Sequence, residues 1–95
     1  EITAYAARVG LELGADIVKI KYCGSGECFK KAVEAAGKTK VVLSGGAKTK
    51  TPEGFLEVVK NVMSAGAIGV AVGRNVWQLE NPFEISKKIK EIIFQ

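Results

Sequence analysis

The sequence predicts an α/β fold: a helix followed by about three βα units, the repeat from which a (β/α)8 TIM barrel is built. Two observations carry this. A helical pattern ends at a glycine three times, at Gly14, Gly37 and Gly66, and a run rich in valine and isoleucine begins within a few residues, at 16–22, 41–43 and 68–72. Glycine suits such junctions because it can adopt the left-handed conformation that closes a helix C-terminus. The spacing from one junction glycine to the next is close to the roughly 30-residue repeat of an α/β barrel. Strands separated by helices run parallel and are joined by right-handed crossovers.

The elements follow in order. Ile2, Tyr5, Ala6, Val9 and Leu13 recur at helical spacing and are expected to form the buried stripe of the first helix. The first strand contains Lys19 and Lys21. Phe29, Ala32, Val33 and Ala36 form the stripe of the second helix, Phe55, Leu56, Val59, Val62 and Met63 that of the third, and Ile85, Ile89, Ile92 and Ile93 that of the last. Thr51-Pro52 and Asn81-Pro82 each put a capping side chain before a proline at the first helical position, which marks two helix starts. The second and third strands carry almost no charge, as expected of strands covered on both faces.

Composition narrows the function. With 47% hydrophobic and 25% charged residues the chain belongs with soluble globular domains. Its formal charge of +4 is spread along the sequence rather than gathered into a basic patch, so no nucleic-acid partner is expected. No apolar run is long enough to span a bilayer and the N-terminus lacks the order of a signal peptide, so no membrane partner and a cytoplasmic location are expected. Cys23 and Cys28 flank a Gly-Ser-Gly-Glu turn. With no histidine in the chain they are expected to be two reduced thiols, and neither a metal nor another cofactor is expected.

In parallel α/β folds the working residues gather at the C-terminal ends of the strands. Here the second strand runs into Ser44-Gly45-Gly46 and the third into Gly73-Arg74-Asn75. Glycines after a strand let backbone N–H groups approach an anion, and a guanidinium grips phosphate with a two-pronged fork. Two such turns on adjacent strands predict a phosphate site built from Ser44, Gly45, Gly46, Gly73 and Arg74. Lys48 and Lys50 follow in the next loop, where lining an anionic site and simple solvation are equally expected. Lys19 and Lys21, two residues apart on one strand, project from the same face. In a barrel interior, desolvation and like-charge repulsion both favour a neutral amine, and a neutral amine can condense with a ketone or aldehyde to a Schiff base. Position alone leaves the two lysines nearly equivalent. Tyr22 falls on the opposite face and is expected to pack rather than react.

Taken together, 14–22 (Gly-Ala-Asp-Ile-Val-Lys-Ile-Lys-Tyr), 43–46 (Leu-Ser-Gly-Gly), 48–51 (Lys-Thr-Lys-Thr) and 72–78 (Val-Gly-Arg-Asn-Val-Trp-Gln) resemble the archaeal-type class I fructose-1,6-bisphosphate aldolases, in order and over nearly the whole chain. The resemblance implies a (β/α)8 barrel, a metal-independent aldehyde-lyase and a homo-oligomer acting on a phosphorylated sugar. It also implies that Lys19 is the Schiff-base lysine, with Lys21 as its neighbouring charge, and that Ser44, Gly45, Gly46, Gly73 and Arg74 hold a substrate phosphate; Lys48 is a supporting candidate by its loop position alone. That family usually follows the tyrosine with Thr-Gly-Asp, where this chain has Cys23-Gly24-Ser25. The family's proton-transfer tyrosine and an early acidic residue have no counterpart in these 95 residues. The chain is therefore expected to be the C-terminal part of a single barrel domain and inactive when produced alone. Two other readings stay open: a related Schiff-base aldolase making an aminosugar precursor of aromatic amino acids, and a non-catalytic phosphate-binding module on a flavodoxin-like open sheet.

Overall fold

The computed structural model describes residues 1–46 and 49–95. The elements run α1 (Ile2–Glu12), β1 (Ile17–Lys21), α2 (Gly26–Ala35), β2 (Lys40–Ser44), α3 (Pro52–Ser64), β3 (Gly69–Ala71), α4 (Arg74–Trp77) and α5 (Pro82–Ile93). The strands form one parallel sheet in the order β1-β2-β3. Gly14, Gly37 and Gly66, the three predicted junctions, all have positive φ. The two predicted proline-marked starts also form: the Thr51 hydroxyl accepts from the Gly54 N–H at 3.0 Å and the Asn81 side chain from the Glu84 N–H at 3.2 Å. The four-residue α4, which no hydrophobic period announces, is an addition to the predicted order.

Side-chain alternation divides the sheet into two unlike faces. Ile20, Val41 and Leu43 are buried with Phe29, Ala32, Ala36 and Val62, and Val18, Tyr22 and Val70 pack against them. Phe55, Val59, Ile85 and Ile89 form a second cluster where α3 meets α5. The stripes predicted for α2, α3 and α5 are thus the ones that face the core. Strands added in sequential order place successive right-handed crossovers on one side of a sheet, whereas a flavodoxin-like sheet reverses its order and carries helices on both sides. The order β1-β2-β3 therefore fits the wall of a barrel.

The α1 stripe is a correction. Ile2 and Leu13 are 85% and 82% exposed, and Tyr5, Ala6 and Val9 are exposed too, whereas Ala7 is fully buried. The packing face uses small residues instead. A Cβ placed on Gly10 would lie 2.9 Å from Val18 Cγ2, so hydrogen at this position lets α1 lie directly on β1. Large side chains on that face would hold the helix away from the strand, which is why the bulky stripe points outward.

The cysteines are a second correction. Cys23, just beyond β1, and Cys28, in the first turn of α2, form a disulfide. The intervening turn brings their Cα atoms to 6.1 Å, within the span a disulfide bridges. Ser25 caps α2 between them, its hydroxyl accepting from the Cys28 N–H at 3.1 Å. The bond therefore joins the exit of β1 to the start of α2.

Two outcomes test these packing assignments. Alanine normally favours a helix interior over glycine by about 1 kcal/mol. Gly10→Ala should instead lower the melting temperature, because its Cβ would force α1 off β1; a higher melting temperature would show that the two do not meet there. Alkylation under denaturing, non-reducing conditions should modify neither cysteine, and both should react once reduced. Free thiols before reduction would remove the disulfide.

Candidate active site

The sheet face away from the helices holds the polar residues. Strand register places Lys19 beside Val42 and Gly69 in one cross-strand row, and Lys21 beside Ser44 and Ala71 in the next. Both lysines are exposed on this face, as their spacing predicts. The rows differ in depth. Lys21 stands at the C-terminal ends of the strands, level with the loops, while Lys19 lies one pleat repeat below it, about 6.6 Å along the strand. The neighbouring residues on β3, Gly69 and Ala71, are small, so space remains above the sheet where a substrate could lie across the lysine row.

At the strand ends the glycine turn after β2 lies against the exit of β3, at Ala71 and Val72. The Gly45 N–H donates to the Ala71 carbonyl at 3.1 Å, extending the β2–β3 ladder beyond the strands. A Cβ on Gly45 would fall 3.0 Å from Val72 Cα, so a residue without a side chain is needed for this loop to lie against the exit of β3. Gly45 thus contributes close approach, its own N–H being engaged in the ladder. Gly46 follows with φ +68°, in the left-handed region that favours glycine. A cleft of about 300 Å³ opens at this point, lined by Lys21, Tyr22, Leu43, Ser44, Gly45, Gly46, Thr49, Phe55 and Val58. No carboxylate lines it. A larger cleft, about 420 Å³, lies among Pro52, Glu53, Gln78, Leu79, Glu80, Asn81, Glu84, Ile85 and Lys88. It shares no lining residue with the glycine turns, and its three glutamates oppose an anion.

Gly73 precedes α4 and Arg74 opens it. Arg74 is exposed, and among the described residues no carboxylate forms an ion pair with it. Lys48 lies outside the described residues. Tyr22 belongs to the helix side as predicted: its ring centroid is 6.4 Å from that of Phe29, and its hydroxyl accepts from Asn61 Nδ2 at 3.4 Å.

One residue of the site went unrecognised in the sequence. Asn75 is only 3% exposed, and its Oδ1 accepts from the Thr49 N–H at 2.7 Å, with the Thr49 hydroxyl 3.2 Å away. This side chain ties the β2–α3 connection to α4. A polar residue next to Arg74 in an apolar neighbourhood was the available signal, but its partner is 26 positions away and invisible to local pattern.

The arrangement offers amines in two rows beneath an anion-compatible mouth, which suits a phosphorylated carbonyl compound. Residues 1–79 match the model of the DeoC/LacD family aldolases. The chain is 53% identical over 94 residues to the class 1 fructose-bisphosphate aldolase of Thermoproteus tenax, covering 99% of this chain and 36% of that protein. It superposes with a TM-score of 0.94 and 53% identity on the crystal structure of an archaeal fructose 1,6-bisphosphate aldolase, covering 98% of this chain and 37% of the other. A third match, with TM-score 0.95 and 51% identity over 99% of this chain and 38% of the other, is an archaeal fructose-1,6-bisphosphate aldolase whose catalytic lysine is covalently bound to the carbinolamine intermediate of its substrate. The chain thus spans little more than a third of the relatives it matches, and its sheet corresponds to part of an aldolase TIM barrel. On its sequence and its fold, the chain belongs to the DeoC/LacD family of aldolases.

Proposed function

We propose that these residues are the lysine-bearing and phosphate-binding part of a class I fructose-bisphosphate aldolase, which cleaves fructose-1,6-bisphosphate reversibly into two triose phosphates. The observation that carries this is the pairing of the two lysine rows with the turns at 44–46 and 73–74 at the strand ends. Ser44, Gly46 and Arg74 offer polar groups to one phosphate, while Gly45 and Gly73 supply the backbone approach. A phosphate held at the mouth puts the neighbouring carbonyl carbon deeper in the barrel. That depth favours Lys19 over Lys21 as nucleophile.

In this mechanism the unprotonated amine of Lys19 adds to the ketone carbon to give a carbinolamine. Loss of water leaves an iminium. The iminium accepts the electron pair released when the bond between the α- and β-carbons breaks, while the β-hydroxyl gives up its proton, so that an enamine and an aldehyde result. Protonation of the enamine and hydrolysis then return the amine and release the second triose phosphate. Lys21 contributes positive charge beside the anionic substrate, and Lys48 is assigned the same supporting part. The proton-transfer groups come from the remainder of a closed barrel, in which 1–95 form the C-terminal part of a single domain. The family resemblance supports a homo-oligomeric, cytoplasmic enzyme.

Borohydride reduction in the presence of fructose-1,6-bisphosphate should link the sugar covalently to Lys19, and Lys19→Met should abolish both the link and turnover while leaving the fold intact. Labelling of Lys21 instead would overturn the assignment, and release of anything other than two triose phosphates would overturn the substrate. Arg74→Ala removes charge-assisted hydrogen bonds worth about 1.5 to 3 kcal/mol each. Affinity for the phosphorylated substrate should therefore fall by roughly one to two orders of magnitude. An unphosphorylated aldol substrate should be affected far less, and equal losses for both would remove the phosphate role.

A further inference from the structure

Two loops that leave different strands can bind one phosphate only if their separation is held to a fraction of an ångström, because hydrogen bonds to an anion weaken steeply with distance and angle. Backbone contacts hold the near ends, where Gly45 meets Ala71 and Val72. Farther along the same connection, at Thr49, Asn75 makes a second link. Its buried Oδ1 receives the Thr49 N–H at 2.7 Å, with the Thr49 hydroxyl at 3.2 Å. The single proton of that hydroxyl is better directed at the Thr51 carbonyl, 2.8 Å away, where Thr51 caps α3, so the Thr49 N–H is the main bond to Asn75. Asn75 is thus the direct neighbour of Arg74 in α4 and is bonded to the loop that continues from Ser44-Gly45-Gly46.

We propose that Asn75 is a positioning residue for the phosphate site: without touching substrate, it holds the loop after β2 and the start of α4 at the separation that lets both bind one phosphate. This rests on the phosphate reading of the two turns given above. A buried amide also suits the task chemically. Asparagine accepts from the loop without adding a negative charge beside a phosphate, which aspartate would do.

The test uses the active enzyme with two variants that break the bond from opposite sides. Asn75→Ala removes the acceptor, and Thr49→Pro removes the N–H donor and the hydroxyl while leaving Asn75 in place. Inorganic phosphate as a competitive inhibitor is the probe, since it reports the site without the chemistry. Both variants should weaken phosphate inhibition by about tenfold, the effect of losing one well-aligned contact. They should raise KM for fructose-1,6-bisphosphate with little change in kcat, and leave borohydride trapping of an unphosphorylated ketone on the lysine unchanged. Amide hydrogen exchange should accelerate at the residues flanking position 49 while Val59 and Val62 stay protected, separating a local release from general unfolding. Unaltered phosphate inhibition in a cooperatively folded variant would overturn the proposal, as would equal losses with phosphorylated and unphosphorylated substrates. If Arg74→Ala weakens phosphate inhibition and Asn75→Ala does not, Asn75 alone is wrongly assigned. If neither does, the phosphate site itself is wrong.

Discussion

Successive side chains of a strand point to opposite faces, and the rest of this structure depends on that constraint. Burying Val18, Ile20, Val41, Leu43 and Val70 beneath the helices obliges Lys19, Lys21, Val42, Ser44, Gly69 and Ala71 to face the other way. The hydrophobic drive that builds the core therefore also sets the face on which Lys19 and Lys21 stand. No separate device is needed to orient the lysines, because a one-residue slip in β1 would bury both of them and expose Ile20.

A second layer of order lies at the strand ends, where specific polar and backbone contacts add to hydrophobic burial. The loop after β2 is held to the exit of β3 by the close backbone approach at Gly45, and farther out by the hydrogen bonds between Thr49 and Asn75. Both are contacts between segments distant in sequence. A buried polar side chain in such a place is costly unless satisfied, so its accepted hydrogen bonds also discriminate against other loop arrangements. The exit of β1 is secured differently, by the covalent link from Cys23 to Cys28. Each strand therefore leaves the sheet through a turn that something specific restrains.

Legibility in the sequence followed the range of the interactions involved. Helix starts at Thr51-Pro52 and Asn81-Pro82, the junction glycines, and the stripes of α2, α3 and α5 depend on neighbours within a turn or two, and each formed as the local pattern indicated. The lysine pair was legible for the same reason, since a two-residue step along a strand has only one geometric meaning. α1 misled because large apolar residues dominate a periodicity reading, while the surface that meets β1 needed small ones; the proximity of Gly10 to Val18 is a property of two packed elements. The cysteine pair misled because the expectation weighed the two thiols as metal ligands, too few without a histidine, when the compact turn between β1 and α2 decided the matter.

The sequence by itself determined the order of helices and strands, the parallel sheet those helices require, the shared face of Lys19 and Lys21, and the two glycine turns at strand ends, because each is encoded in residues close together along the chain. Tertiary structure alone decided which face of α1 is covered, that Cys23 reaches Cys28, and that Asn75 joins the loop after β2 to α4. It also set the depths at which Lys19 and Lys21 stand relative to the mouth, since depth is measured against neighbouring strands. The physical reason is common to all of these. They are distances between segments that meet only after packing, and no local periodicity records such a distance.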